Sequence, residues 1–192
     1  MRTITCRAWS LAALLLLASV GGAQARSLAP AAPPVLQARG TVQVAFAPWD
    51  DIEGIIIARL ADARRQVLMQ AYLLTNRRIV DALIAAHARG IDVQVMMDRG
   101  QLDKNSTERL RQLRAAAIPV WFETLYRSAH NKVIVIDAGQ PTAAVITGSF
   151  NFTWSAQHRN AENIVVLAGD DALVARYAAN WQRHREDAEV AP

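Results

Sequence analysis

Residues 130–137 of the chain are His130-Asn131-Lys132-Val133-Ile134-Val135-Ile136-Asp137. The apolar run of β-branched residues predicts a buried strand, entered by a histidine and a lysine and closed by an aspartate. Side chains two positions apart on a strand point to the same side, so His130 and Lys132 can face one substrate together. A neutral imidazole is a nitrogen nucleophile, and an ammonium group can hold a phosphate oxygen. The pair therefore suits attack on phosphorus.

A second polar cluster follows the next predicted strand and comprises Gly148, Ser149 and Asn151. The glycine permits close approach of the backbone, and the other two residues offer donors at alternate positions. A short link between the two strands predicts a hairpin, which would place this cluster beside His130 and Lys132. The donors could then form an oxyanion site, although Ser149 could instead only shape the turn.

Two carboxylates are candidates for orienting the His130 ring, as a catalytic imidazole requires. Glu162, just before another predicted strand, is the candidate for this function, and the alternative is an ordinary surface acid. Asp137 lies at the far end of the strand from His130, too distant for a hydrogen bond at about 3.3 Å per residue. We therefore expect Asp137 to bind backbone or hydroxyl groups at the strand end.

The rest of the chain alternates predicted strands and helices. Strands are predicted at 41–47, 66–73, 91–98, 118–122, 132–137, 143–147 and 163–168, with helices after most of them. Asp50 with Glu53, Asn76, and Asp170 or Asp171 are the predicted helix caps. The alternation favours an α/β fold in a single domain, with a mixed, largely parallel sheet flanked by helices on both faces.

The N-terminal residues are typical of a targeting segment rather than of the fold. Arg2 and Arg7, a short apolar stretch and a small-residue cleavage site at Ala23-Gln24-Ala25 predict a signal peptide at 1–25, and the alternative is an uncleaved anchor. A flexible lead-in at 26–40, a folded domain at 41–187 and a tail at 188–192 follow. We expect an exported protein, periplasmic or secreted, with no integral membrane segment after cleavage. Its only cysteine is Cys6, inside the leader.

The distribution of charged residues along the chain is more informative than the net charge. The formal net charge of +4 is small, and two of the arginines lie in the predicted leader. Between Arg99 and Lys132, however, basic residues outnumber acidic ones by seven to three. This concentration before the His130 strand suits a polyanionic or phosphate-bearing substrate, whereas Arg109, Arg111 and Arg114 taken individually fit an ordinary solvated helix face.

The two clusters together resemble the HKD signature of the phospholipase D superfamily, with His130, Lys132 and Asp137 followed by Gly148, Ser149 and Asn151. The resemblance covers 41–186 and is closest to small bacterial single-motif members, with a longer link before Gly148. It implies a phosphodiesterase that needs no metal or cofactor. It also implies a homodimer whose site at the two-fold axis combines His130, Lys132 and Asn151 of both subunits. One histidine would form a covalent phosphohistidine and the other would protonate the leaving group.

Three functions remain open at this point. The first is a non-specific endonuclease on DNA or RNA, favoured by the small domain and the basic segment. The second is a phospholipase D that cleaves the headgroup of phosphatidylcholine or related lipids, for which Phe150, Phe152, Trp154, Leu125 and Tyr126 could form an apolar rim. The third is a non-catalytic module that binds nucleic acid or membrane, disfavoured because no motif residue is missing. His87, His158 and His184 have no assigned function, and the histidines lack metal-ligand spacing.

Overall fold

The computed structural model describes residues 32–192, and residues Val35–Pro192 form one compact unit. The predicted signal peptide at 1–25 and the first part of the lead-in lie outside the described residues. Residues 32–39 contain no helix or strand. No helix in the described part of the chain is long and apolar enough to cross a bilayer.

Strands and helices alternate along the described chain. Their bounds, in order, are β1 Thr41–Ala47, α1 Ile52–Asp62, β2 Gln66–Ala71, α2 Arg77–Ala88, β3 Asp92–Asp98, a 3-10 turn Arg99–Gln101, α3 Lys104–Ala115, β4 Val120–Glu123, β5 Lys132–Ile136, β6 Ala144–Gly148, α4 Trp154–His158, β7 Glu162–Ala168, α5 Asp171–Glu186 and β8 Glu189–Val190. The predicted strands and long helices are confirmed within a few residues. The short helix α4 was not predicted.

The strands form one mixed sheet in the order β1-β7-β6-β5-β2-β3-β4-β8. The mixed α/β fold with flanking helices is confirmed, but the expectation of a largely parallel sheet is wrong. Only β2–β3 and β3–β4 pair in parallel, and the other described pairs are antiparallel. The reason is that only the long helices α2 and α3 act as crossovers between neighbouring strands, as parallel pairing requires, whereas the short helix α4 joins the antiparallel neighbours β6 and β7. The segment at 188–192, expected to be a tail, contains β8, which pairs with β4.

The helix caps follow local side-chain chemistry. Asn76 caps α2 and Asp170 caps α5, as predicted, and each side chain accepts a hydrogen bond from a backbone amide of the first turn. The cap of α1 differs from the prediction. Asp51, rather than Asp50, accepts from the Gly54 amide. The side chain of Glu53 is buried and binds Asn76 and Arg78 on the neighbouring helix.

Helices cover both faces of the sheet. One face packs against apolar side chains of α1, α2 and α3, among them Ile56, Leu83 and Leu113. The other packs against α5, whose Trp181 is fully buried and donates its indole N–H to the Met69 carbonyl at 3.0 Å. The sheet is thus held rigidly between two layers, so the residues at its strand ends are well fixed.

One part of the sheet keeps an exposed apolar face. Helix α5 packs over β2, β4, β5 and β6, whereas the edge strand β1 lies beyond them next to β7. Val42, Val44 and Phe46 alternate along β1 and are 62%, 49% and 50% exposed. Three large apolar side chains in a row on a strand are unusual on the surface of a monomer and are typical of a contact surface. We call these three residues the β1 apolar row.

Candidate active site

The first two candidate residues meet where β5 begins. Antiparallel pairing places Lys132 opposite Ala71 of β2, and Val133 opposite Thr147 of β6. Lys132 is only 6% exposed, whereas His130 is exposed. The Lys132 Nζ atom donates to the His130 carbonyl at 2.9 Å and lies 2.9 Å from His130 Nδ1. The i, i+2 spacing thus brings imidazole and amine together.

The amine contact has a consequence for the proton on the imidazole ring. An ammonium group is only a donor, so it requires an unprotonated Nδ1 on His130. A neutral ring in this contact then carries its proton on Nε2. A ring that donates a proton to a leaving group must be the imidazolium, with protons on both nitrogens, and a ring that attacks phosphorus through Nε2 must carry its proton on Nδ1. Both reacting forms therefore carry a proton on Nδ1, so this contact with Lys132 describes the resting ring.

The charge state of Lys132 reflects two opposing influences. Burial lowers the pKa of its ammonium group, and the negative charge of Glu162 opposes this by favouring the charged form. The net effect is a pKa below the ordinary lysine value of 10.5. Glu162 thus partly offsets the effect of burial on the Lys132 charge.

Tyr72 is a neighbour of this pair that sequence reasoning missed. Its ring centroid lies 4.2 Å from that of His130, at an interplanar angle of 55°, and 4.7 Å from Lys132 Nζ. Its backbone amide donates to the Asn131 carbonyl at 2.8 Å, which extends the β2–β5 pairing by one residue. The only sequence signal was its position directly after β2, and this became informative only once β2 was known to pair with β5.

The second polar cluster follows β6, as predicted. A Cβ atom on Gly148 would lie 2.2 Å from the Asn163 carbonyl oxygen, so only glycine fits against β7 here. Ser149 is tied to the same residue, because its hydroxyl accepts from the Asn163 amide at 3.0 Å. Asn151 differs: its buried Oδ1 atom has no hydrogen-bond partner among the described residues. An unpaired buried oxygen is costly, so Asn151 is the member of this cluster that can still take up a partner.

Phe150 and Phe152, which were considered for an apolar rim, are 1% and 2% exposed. They anchor the cluster in the core, and the Phe152 backbone binds Leu73, Thr75 and Asn76 after β2. The rim expectation is therefore wrong for these two residues. Trp154, Leu125 and Tyr126 are exposed.

Glu162 does not contact the His130 ring as the sequence led us to expect. It begins β7, which is separated from β5 by β6, and its carboxylate accepts a hydrogen bond from the side-chain Nδ2 of Asn160 at 3.0 Å. Within residues 32–192 the ring is instead in contact with Lys132 and Tyr72. The influence of Glu162 on the pair is electrostatic and acts on Lys132.

Asp137 lies at the other end of β5, away from the pair. It is completely buried and accepts hydrogen bonds from the backbone amides of Arg64, Arg65 and Gln66 and from the Thr142 hydroxyl, at 2.7–2.9 Å. Burial alone would raise the pKa of Asp137, but these donors outweigh it and hold the pKa below the ordinary value. The carboxylate joins the start of β2 to the β5–β6 hairpin.

Replacing Asp137 with alanine is expected to lower the free energy of unfolding by roughly 3 kcal/mol at pH 7, because four donors lose their buried charged acceptor. The lowered pKa means that this contribution is complete above the unfolded-state pKa and is lost as pH falls through the folded-state pKa. Urea unfolding at several pH values measures it. Replacing the exposed Asp62 with alanine is the control, with an expected change within about 0.5 kcal/mol. Equal stability of the two variants at pH 7 would contradict this assignment.

The segment before His130 is fixed by a buried acid at the end of β3. The Asp98 carboxylate accepts a hydrogen bond from the Ala129 amide, one residue before the histidine. Nearby, His184 of α5 binds the buried Glu123 through Nδ1, so this histidine has a structural partner that sequence reasoning did not assign. In the described residues no three acidic, histidine or cysteine side chains are grouped closely enough to hold a metal ion.

Comparisons with known proteins agree with this geometry. A family model described as "Cardiolipin synthase, PLD-like domain" matches residues 56–185. A phospholipase D of Rickettsia prowazekii is 40% identical over 143 residues, which cover 74% of this chain and 67% of that protein. A mitochondrial cardiolipin hydrolase of Chlamydomonas reinhardtii is 27% identical over 124 residues, 65% of this chain and 53% of that protein. The crystal structure of Nuc, a phospholipase D family member of Salmonella typhimurium, superposes with a TM-score of 0.74 at 30% identity, covering 79% of this chain and 97% of Nuc.

The family match extends from α1 into α5 and includes His130, Lys132, Asn151 and Glu162. The mixed sheet is shared with Nuc over most of both chains. The chain therefore belongs to the phospholipase D superfamily and is a phosphodiesterase.

Proposed function

We propose that this phosphodiesterase is a non-specific endonuclease that cleaves DNA or RNA through a covalent phosphohistidine on His130. The observation that carries the proposal is the exposed His130 ring with the Lys132 amine 2.9 Å from its Nδ1 atom. A nucleophile open to solvent beside a cation suits a phosphodiester within a long polymer, because the polymer need not enter a closed cavity.

The surroundings favour nucleic acid as the substrate. Trp154 begins α4, three residues after Asn151, and is 52% exposed. The guanidinium carbon of Arg159 lies 5.0 Å from the Trp154 ring centroid. An aromatic ring and an arginine together offer stacking to bases and charge to phosphates, and neither contact depends on sequence.

The reaction needs two imidazoles with different protonation. The nitrogen of one His130 attacks phosphorus, and the bond from phosphorus to the leaving oxygen breaks. The second His130 gives its proton to that oxygen and becomes neutral. It then takes a proton from water, whose oxygen attacks phosphorus and releases the first ring. In each subunit the Lys132 ammonium group and the side-chain N–H groups of Asn151 would donate to the phosphate oxygens.

Each chain contributes a single His130, so the proposed site requires a homodimer. A two-fold axis beside His130 would bring the two rings to one phosphorus atom, since such interfaces use the same surface on both subunits. The β1 apolar row supports such an assembly, because burial in an interface would remove exposed apolar area from water.

A second candidate is a phospholipase D. Leu125 and Tyr126, in the segment that leads to His130, are 65% and 46% exposed and could enter a lipid surface. The relatives from Rickettsia are named phospholipase D. The phosphorus chemistry would be the same, so the substrate has to be decided by assay.

Purified protein should nick plasmid DNA and cleave single-stranded DNA and RNA in excess EDTA, while choline release from phosphatidylcholine vesicles stays at background. Substrate and metal dependence are tested in the same experiment. Choline release without cleavage of nucleic acid would favour the lipid candidate. Loss of all activity in EDTA would contradict the metal-independent phosphohistidine route.

A further inference from the structure

We propose that Tyr72 is a positioning residue of the active site: the face of its ring seats the His130 imidazole and the Lys132 ammonium group together. This inference rests on the proposed function, because it takes His130 and Lys132 as the reacting pair. It assigns to an aromatic ring the orienting function that the sequence suggested for a carboxylate.

The His130 ring needs a second contact that fixes its orientation. His130 is exposed, and its ring is held by the Lys132 amine through Nδ1. A single hydrogen bond fixes one ring atom and still allows the ring to tilt about it. A displacement of about 1 Å can lower a rate by roughly 100-fold, so attack on phosphorus requires a second contact.

The Tyr72 ring is placed to make that contact. The centroids of the Tyr72 and His130 rings are 4.2 Å apart at an interplanar angle of 55°, so the two rings are in direct contact. The same tyrosine ring lies 4.7 Å from Lys132 Nζ, within the distance at which an aromatic face attracts a cation. One ring therefore contacts both members of the pair.

The backbone of Tyr72 is itself fixed in place. It follows Ala71, the last residue of β2, and its amide donates to the Asn131 carbonyl at 2.8 Å. Asn131 lies between His130 and Lys132 in the chain. The tyrosine backbone is thus fixed to the backbone segment that carries both side chains, so its ring is a stable reference for them.

The test compares Tyr72→Phe with Tyr72→Leu in the full protein with a nucleic-acid substrate. Phenylalanine keeps the ring face, and kcat should remain within about threefold of wild type. Leucine keeps an apolar side chain without the ring face, and kcat should fall about 30-fold or more while KM changes by less than about threefold. Tyr177→Leu on α5 is the matched control and should leave kcat unchanged, because Tyr177 packs against the apolar cluster around Trp181, which does not include Tyr72, His130 or Lys132.

A second readout does not depend on turnover. NMR relaxation of the ¹³C-labelled His130 ring should show increased mobility in Tyr72→Leu and not in Tyr72→Phe, at equal thermal stability. If the protein cleaves no nucleic-acid substrate but the His130 ring becomes more mobile in Tyr72→Leu, the proposed function is wrong and the positioning inference stands. Unchanged ring mobility in Tyr72→Leu, or equal loss of kcat in the leucine and phenylalanine variants, would overturn the inference.

Discussion

His130→Ala should lower kcat by at least about 1,000-fold, because it removes both the nucleophile and the proton donor from the proposed shared site. Binding of DNA should survive, since it depends on other groups such as Lys132 and Arg159. Gel-based cleavage and fluorescence anisotropy measure the two properties on the same sample. His87→Ala is the control, because that ring lies on α2 and its Nδ1 contacts the Ile91 carbonyl. Turnover that survives in His130→Ala would refute the mechanism.

Mixing this variant with wild-type protein tests whether the site is shared. After unfolding and refolding together at equal amounts, a shared site should retain about a quarter of the wild-type rate, and independent sites about half. The difference arises because a mixed dimer would contain one imidazole where the reaction needs two. A linear dependence on the wild-type fraction would contradict the shared site.

Val44→Asp should convert the proposed dimer to monomers and lower the rate by more than about 100-fold, because burying an unpaired carboxylate in an interface is strongly unfavourable. Val44 is 49% exposed in the described chain, so the monomer itself should fold. Sedimentation velocity gives the oligomeric state, and the cleavage assay gives the rate at the same protein concentration.

Gln43→Asp is the matched control for this change. Gln43 is the preceding residue of β1, is exposed, and accepts a hydrogen bond from Arg59. It places the same charge on the opposite side of the same strand, so the dimer and the activity should persist. A Val44→Asp protein that remains dimeric and active would show that the β1 apolar row is not the interface.

Most of what the sequence correctly predicts about the fold comes from local patterns. The bounds of β1 match the alternation of Val42, Val44 and Phe46, and Asn76 and Asp170 cap the helices that follow them. Such signals act between residues a few positions apart, so they can be recognised in the amino-acid sequence without a structure. Strand order is different: nothing local indicated that β1 pairs with β7, and the expected parallel sheet was wrong for that reason.

In the candidate site, too, local features were predicted correctly and contacts between distant segments were not. The two-residue spacing of His130 and Lys132 was enough to predict that they meet, because both belong to one extended segment. The hairpin correctly placed the Gly148 cluster on the neighbouring strand. Tyr72 was missed and a Glu162 contact to the ring was expected, because Tyr72 follows β2 and Glu162 begins β7, and both are far from His130 in sequence.

The family, the phosphodiesterase chemistry and the order of strands and helices thus follow from the amino-acid sequence. They depend on residue types at short spacing, where covalent geometry leaves few alternatives. The tertiary structure alone decides that four strand pairs besides the β5–β6 hairpin are antiparallel, that Tyr72 contacts both His130 and Lys132, and that the β1 apolar row is uncovered. These features arise from contacts between distant segments, and packing of the whole chain selects among arrangements that local preferences leave equal in energy.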